Sequence, residues 1–362
     1  MIKTALRLTL RRTLRTIAAV AALCFATSCS VHEWYATEED PDQPQPPVDN
    51  YEKGLYSLRL QFEPHFHQVD LNDDGTLGEA YRTYDNTHSQ GYMHYFIRAF
   101  RIVDGTPERD HFEEFTFSRD ISTGYECKYV LELSEGAYRV MVWTHMTPGP
   151  DDDHYYDASN FSEIRLTGEH TANTDYRDAF RGSVDITVKA TDGHDAKPTP
   201  STTLTLERPF AKFEFITTDL AAFINKQRSG ANSLSLNDYQ VVFYYNGFMP
   251  NAYSMHTDRN VDSATGVYFT SSLTQLNDNE ASMGFDYVFV NDKETYVTLQ
   301  IGLVSPATAR QVALSDPVRV TLQRNHHVTV RGSFLTGDAS GSGIIDPGFD
   351  GDINVPFVYQ PK

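Results

Sequence analysis

The sequence has 362 residues, with 49 Asp and Glu against 30 Lys and Arg and a formal net charge of −19 at neutral pH. A surface this acidic repels nucleic-acid phosphates and anionic lipid, which sets both aside as partners. Only three cysteines occur, so no disulfide framework is expected, while 22 Phe and 21 Tyr supply ample material for packed cores.

The N-terminus reads as a targeting segment. Lys3, Arg7, Arg11, Arg12 and Arg15 form a basic region without an acid, and the apolar run "IAAVAALCFA" follows from Ile17 to Ala26. That run is too short to cross a bilayer, which takes about 20 apolar residues. Ala26-Thr27-Ser28-Cys29 comes next. These residues resemble the lipobox of bacterial lipoproteins, with Ala26 standing where leucine is usual. The resemblance implies a signal peptide at 1–28, cleavage before Cys29 and acyl lipid on the Cys29 thiol. Cys24 fits less well, because Leu23 precedes it where a small residue is expected. An ordinary signal peptide cut near Ser28 is the alternative. Two acyl chains suffice for stable anchoring. Losing 1–28 removes five basic residues and no acid, taking the formal charge from −19 to −24. With Cys29 acylated, Cys127 has no disulfide partner. It alternates with Tyr125, Tyr129, Leu131 and Leu133, which makes it a core residue of a strand and not a nucleophile.

Residues 29–50 read as a tether. Its stretch "ATEEDPDQPQPPVDN" (36–50) is extended by proline and solvated by acids. Beyond it the signal is β almost throughout. "YSLRLQF" (56–62), "MHYFIRAFRIV" (93–103), "HFEEFTF" (111–117) and "YECKYVLEL" (125–133) are strand-like segments with turn residues between, and "SEGAYRVMVW" (134–143) is a tight turn leading into a strand. "STTLTLERPFAKFEFIT" closes one set and begins another, and "YQVVFYYNG", "FDYVFVN", "TYVTLQIGLV", "PVRVTLQ" and "HHVTVRGSF" follow. About 330 mature residues exceed one comfortable core. The expected fold class is therefore all-β, with antiparallel β-sandwiches at 51–207 and 208–362. The boundary falls at Glu207-Arg208-Pro209, where proline interrupts a ladder. One short helix is expected over 218–228, capped by Thr217 or Thr218, with Leu220, Phe223 and Ile224 on its apolar face.

Candidate chemistry is sparse. Asp70, Asn72 and Asp74 match the opening D-x-N-x-D-G of a calcium loop. The pattern then fails, because Tyr81 occupies the position of the closing acid. A polar Asp-Gly turn is expected there, with a Ca2+ site as the alternative. His65 and His67 share a strand face but lack a third ligand at a telling spacing. His326 and His327 are adjacent and point to opposite faces. His145 reads as a strand-end residue, Asp151-Asp152-Asp153 as a solvated loop, and Ser340-Gly-Ser-Gly343 as a linker without the spacing of a nucleophile elbow. No catalytic constellation, phosphate loop or metal motif emerges, so no enzyme and no cofactor is expected. Asp262-Ser263-Ala264 resembles the short O-glycosylation sequon of exported Bacteroidales proteins.

Three further stretches carry a family resemblance. "LSEGAYRVMVW" (133–143), "LTLERPFAKFEF" (204–215) and "LQRNHHVTVRGSFLT" (322–336) are similar, in order, to segments of the fimbrillin-like lipoproteins of Bacteroidales, the type V pilus group with its FimB-like anchor, accessory and cell-adhesion branches. The resemblance spans nearly all of the mature chain. It implies two tandem transthyretin-like sandwiches, export as a lipoprotein to the outer membrane and its surface, and association by donor-strand exchange, in which one subunit's strand completes a groove in its neighbour. Fimbrillin subunits or surface ligands are the partners it implies. The tail "GDINVPFVYQPK" (351–362) suits such a strand, with Ile353, Val355, Phe357 and Tyr359 on one face. Pairing within the second domain is the alternative. In stalk subunits an arginine-specific cut frees the N-terminal strand; Arg177 and Arg181 lie in a turn-like stretch but are not assignable to that cut.

The sequence thus reads as a lipid-anchored pilus anchor, accessory or adhesion protein. The rival class is a glycan-binding surface lipoprotein of a polysaccharide-uptake system, using Trp143, Tyr244, Tyr245, Phe248 and Tyr253 as a sugar platform. Strand alternation is expected to bury part of that set.

Overall fold

The structure is a computed structural model that describes residues 53–336, apart from 87, 89, 151, 191–200, 228–234 and 309. Cys29, the tether and the terminal residues Ile353, Val355, Phe357 and Tyr359 lie outside the described residues.

In chain order the strands of the first half are β1 (Lys53–Phe62), β2 (His65–Asp70), β3 (Arg82–Asp85), β4 (Tyr92–Val103), β5 (Thr106–Asp120), β6 (Cys127–Ser134), β7 (Gly136–Thr147), β8 (Tyr156–Asp157), β9 (Ile164–Leu166), β10 (Ala179–Val188) and β11 (Ser201–Leu206). The second half holds β12 (Phe210–Thr217), the helix α1 (Leu220–Gln227), β13 (Gln240–Tyr245), β14 (Met249–Ser254), β15 (Arg259–Ala264), β16 (Tyr268–Ser271) and β17 (Thr274–Gln275). It ends with β18 (Ala281–Phe289), β19 (Glu294–Ser305), β20 (Arg310–Leu314), β21 (Val318–Gln323) and β22 (His326–Gly332). The fold is all-β with one short helix among the described residues, as the alternation requires.

A first sandwich packs the sheet β11-β1-β6 against β10-β7-β4-β5. Its core is the inward parity of each strand: Leu58 and Leu60 from β1, Tyr95 and Ile97 from β4, Leu131 and Leu133 from β6. Cys127 joins this core, as expected. Each such side chain stabilises by roughly 1.5–3 kcal/mol when fully buried. A second sandwich packs β17-β18-β12-β22-β2-β3 against β16-β13-β19, with β20 and β21 both beside β19. α1 buries Leu220 and Phe223 in that core.

Two features depart from simple tandem antiparallel sandwiches. Three ladders are parallel: β1 with β11, β12 with β22, and β2 with β22. Parallel neighbours require long crossovers, so these strands are far apart in sequence. The chain also passes between the two sandwiches more than once. It crosses at Glu207–Pro209, and earlier at Glu63–Pro64, where β1 ends in the first sandwich and β2 joins the second.

A third apolar cluster lies between the sandwiches. Met141 and Trp143 from the outer face of β7 meet Phe210 of β12, Tyr287 and Phe289 of β18, and Tyr253 of β14. The sheet β15-β14-β9-β8 contributes to it. β7 is thus buried on both faces, with Val140 and Val142 in one core and Met141 and Trp143 in the other. A central strand of that kind reads as a continuous apolar run, which "VMVW" is.

Candidate functional site

The junction is built around Arg208. Its alternation with Leu204 and Leu206 aims it inward, and its side chain is fully buried. A buried guanidinium must place every N–H. Nε and Nη2 donate to the two carboxylate oxygens of Asp178, each at 2.7 Å. Nη1 donates to the Glu63 carbonyl at 3.1 Å and Asn325 Oδ1 at 2.9 Å, and Nη2 also donates to the Pro64 carbonyl at 2.9 Å. The guanidinium lies 4.0 Å from the ring centre of Phe66 and 4.5 Å from that of Phe180. Arg208 therefore ties both crossing points of the chain to one carboxylate.

The short turn Thr174–Asp178 supplies the counter-charges. Thr174 caps it by accepting from the Tyr176 N–H. Asp175 accepts from Lys212 Nζ at 2.9 Å and from the Tyr287 hydroxyl at 2.5 Å. Lys212 is buried, with Nζ 4.0 Å from the ring centre of Phe285. Arg177, also buried, donates to Asp286 and to the carbonyls of Thr171 and Tyr287. Asp286 further accepts from His170 Nε2 at 2.7 Å, the Tyr245 hydroxyl at 2.6 Å and the Tyr287 N–H at 2.7 Å. Burial pushes the Asp286 carboxyl up, but Arg177 and His170 outweigh it and hold it below the usual range. The charges named here are paired, so the junction acts as a set of pins. Arg177 is buried, and Arg181 lies in β10, pairing its backbone with Glu207 and its side chain with Asp258.

The outer edge of the first sandwich is different. Among the described residues β5 pairs only with β4 and β6 only with β1, so both sheets end there in a strand with no described neighbour on one side. Between these edges lies a cleft of about 550 Å³ lined by Phe117, Cys127 and Tyr129, with Arg59, Arg119, Glu126 and Lys128 around it. Tyr95, Phe117 and Tyr129 stack in sequence, with ring centres 4.5 and 4.7 Å apart and planes 7° and 3° from parallel. The stack runs from core to surface. Burial pushes the Cys127 thiol up, against the pull of Tyr95 and Arg119. An unpaired β-edge beside an apolar floor can accept an extended peptide, through main-chain hydrogen bonds and pockets for alternate side chains.

Three ligand-type side chains meet at the end of β4 and β7. His94 Nδ1 lies 2.5 Å, and His145 Nε2 3.0 Å, from Asp153 Oδ1. This is the one group of three His, Cys, Asp or Glu with converging ligand atoms among the described residues. The tautomer argues against a metal there. Trp143 Nε1 donates to His145 Nδ1 at 3.0 Å, so Nδ1 is unprotonated and the proton sits on Nε2, facing Asp153. A metal ligand needs the reverse, a bare ligating nitrogen with the other N–H donating outward. Burial also lowers the His145 pKa, which keeps the ring neutral. The cluster is a latch: the expected solvated loop is held down at Asp153, and His145, near the end of β7, is fully buried.

The calcium candidate is a turn. Gly75 takes φ 76°. Asp74 accepts from the Thr76 N–H at 3.0 Å and its hydroxyl at 2.5 Å, Asn72 donates to Thr76 Oγ1 at 3.0 Å, and Asp70 accepts from the Tyr81 hydroxyl at 3.3 Å. Asp70 and Asp74 belong to no group of three converging His, Cys, Asp or Glu ligands among the described residues. Of the five aromatic residues of the sugar platform, Trp143, Tyr245 and Tyr253 are buried in cores, leaving Phe248 exposed and Tyr244 stacked 5.8 Å from exposed Tyr268. Ser263 is exposed on β15, at the edge of its sheet. The alternation rule located Cys127. The junction partners of Arg208 were missed, and its parity with Leu204 and Leu206 was the one available signal.

The class is therefore an all-β protein of two sandwich cores with a charged junction and, among the described residues, an edge without a neighbouring strand. Residues 63–359 match the family described as "Family of unknown function (DUF6562)", and the chain belongs to that family. No curated protein matches. Solved structures similar to the chain include the fimbrial anchor protein Mfa2 from Porphyromonas gingivalis, at 13% identity and TM-score 0.37, covering 72% of this chain and 82% of that one. A putative adhesin from Bacteroides ovatus has 11% identity and TM-score 0.38, covering 72% of this chain and 76% of that one. A putative polysaccharide binding protein from Bacteroides thetaiotaomicron has 15% identity and TM-score 0.36, covering 72% of this chain and 79% of that one.

Proposed function

We propose that the protein is a lipid-anchored surface component of a fimbrial or adhesive assembly, moored to the outer membrane through Cys29 and joined to its partner by β-strand complementation. The observation that carries this reading is the shared edge of the first sandwich, where β5 and β6 each lack a neighbour on one side among the described residues, beside an aromatic-floored cleft. Long unpaired edges are aggregation hazards that proteins normally block. A partner strand that covers this one both removes the hazard and builds the assembly. The lipobox-like segment and the acidic tether support the anchored half of the reading. The role is binding and assembly without catalysis and without a cofactor other than the acyl lipid.

The test is extraction from the native host under mild detergent. The protein should co-purify with a larger assembly, and Tyr129→Asp, which places a charge on the cleft floor, should release it. Recovery of the unaltered protein as a clean monomer would sink the assembly role. Intact-mass analysis of the same material checks the acyl groups on Cys29.

A further inference from the structure

The fold brings together two histidines from opposite ends of the described chain. β2 runs parallel to β22, and His67 sits directly opposite His326. Their ring centres are 5.4 Å apart, with planes 48° from parallel. His326 Nδ1 lies 2.8 Å from the Arg324 carbonyl oxygen. That oxygen can only accept, so Nδ1 carries the proton and the neutral ring keeps a bare lone pair on Nε2. Metal-ligating histidines are held in this way, with one N–H on a backbone carbonyl and the other nitrogen free to coordinate. His145 has the opposite arrangement. His67 is exposed, its backbone N–H donates to the Asn325 carbonyl at 2.9 Å, and its ring lies against that of His326. Two imidazoles each about 2.1 Å from one tetrahedral ion hold their ring centres about 5 Å apart, close to the separation seen here.

We infer that His67 and His326 form a two-imidazole site for a divalent transition ion of the zinc type, with water in the remaining positions. Imidazole favours zinc, nickel and copper, whereas calcium and magnesium take oxygen ligands. The bound ion clips β2, which belongs to the first half of the sequence, to the last described strand. Because only the folded chain aligns the two rings, binding raises the stability of the fold.

The test uses tag-free full-length protein, stripped with chelator and titrated with zinc chloride by calorimetry, with thermal melting in parallel. One equivalent should bind and raise the Tm. His67→Ala, at an exposed position, should keep the fold and lower zinc affinity by about 10-fold or more. His326→Gln should do the same, while His94→Gln, which breaks the other histidine cluster, should leave binding unchanged. Absence of zinc binding, binding that survives His67→Ala, or binding lost in His94→Gln would each overturn the assignment.

Discussion

Arg208 and Asp178 form a bidentate pair in which both members are almost completely shielded from water, at 0% and 1% side-chain exposure. The pair joins the end of the first sandwich to the turn that serves the second. Removing one partner of such a pair strands the other charge, a loss of about 3–5 kcal/mol. Arg208→Met should therefore lower unfolding stability by that amount in chemical denaturation. Arg208→Lys should recover little of it, because a lysine cannot reproduce the fork to Asp178 and the three further acceptors. Arg208→Met combined with Asp178→Leu should lose less than Arg208→Met alone. A loss under about 1 kcal/mol in Arg208→Met would refute the junction role.

Acid should destabilise the protein in two stages. Burial lowers the folded-state pKa of His145 and His327, so the unfolded chain binds their protons first. Stability then begins to fall as pH drops through the unfolded histidine value, about 6.5. Asp286 and Asp153 are held below their ordinary carboxyl values despite burial, by Arg177 and His170 and by His145 and His94. Their contribution is complete above the unfolded carboxyl value, about 3.9, and is lost as pH falls further. Melting temperature against pH should show both limbs, and His145→Gln should weaken the upper one. A flat profile between pH 7 and pH 5 would contradict the histidine assignment.

Trp143→Phe isolates the latch. It removes the indole donor and leaves His145 Nδ1 buried without a partner, at a cost of about 1–3 kcal/mol. It also frees that nitrogen to take a proton. The His145 imidazole signals should accordingly titrate at higher pH in the variant than in the parent, as followed by NMR. An unchanged titration would mean that the Trp143 hydrogen bond does not fix the tautomer.

Cys127 should behave as a buried thiol. It is 8% exposed, and burial raises its pKa, so its thiolate fraction and its access are both small. Alkylation in native buffer should run at least about 10-fold slower than in denaturant. Fast modification of the native protein would show that the cleft between β5 and β6 opens to its floor.

Tyr253→Ala should act on folding and not on any glycan. The ring is fully buried in the cluster between the sandwiches, stacked 5.6 Å from Phe289. Deleting a large buried aromatic side chain costs about 3–5 kcal/mol. Phe248 and Tyr268, by contrast, are exposed. Saturable polysaccharide binding abolished by Phe248→Ala with the fold intact would instead favour the glycan-uptake reading.

The sequence by itself determined most of the longer strands, the short helix and much of the core, because these depend on local alternation; short strands such as β8, β9 and β17 carry too little pattern to show. Leu58 and Leu60, Leu131 and Leu133, and Phe213 and Phe215 declare their inward faces within a few residues. Although its alternation with Leu204 and Leu206 carries its inward direction, Arg208 reads from the sequence only as part of the boundary at Glu207-Arg208-Pro209. Only the tertiary structure decided that Asp178 receives it, that His67 meets His326 and that β5 and β6 end on the same side. A parallel ladder between distant strands sets the histidine pair, and long-range pairing of other segments places the rest; no local pattern encodes that register. The aromatic residues show the same division. Alternation places Trp143 and Tyr253 on strands, but whether the outer face of a strand meets water or a second core depends on what folds over it.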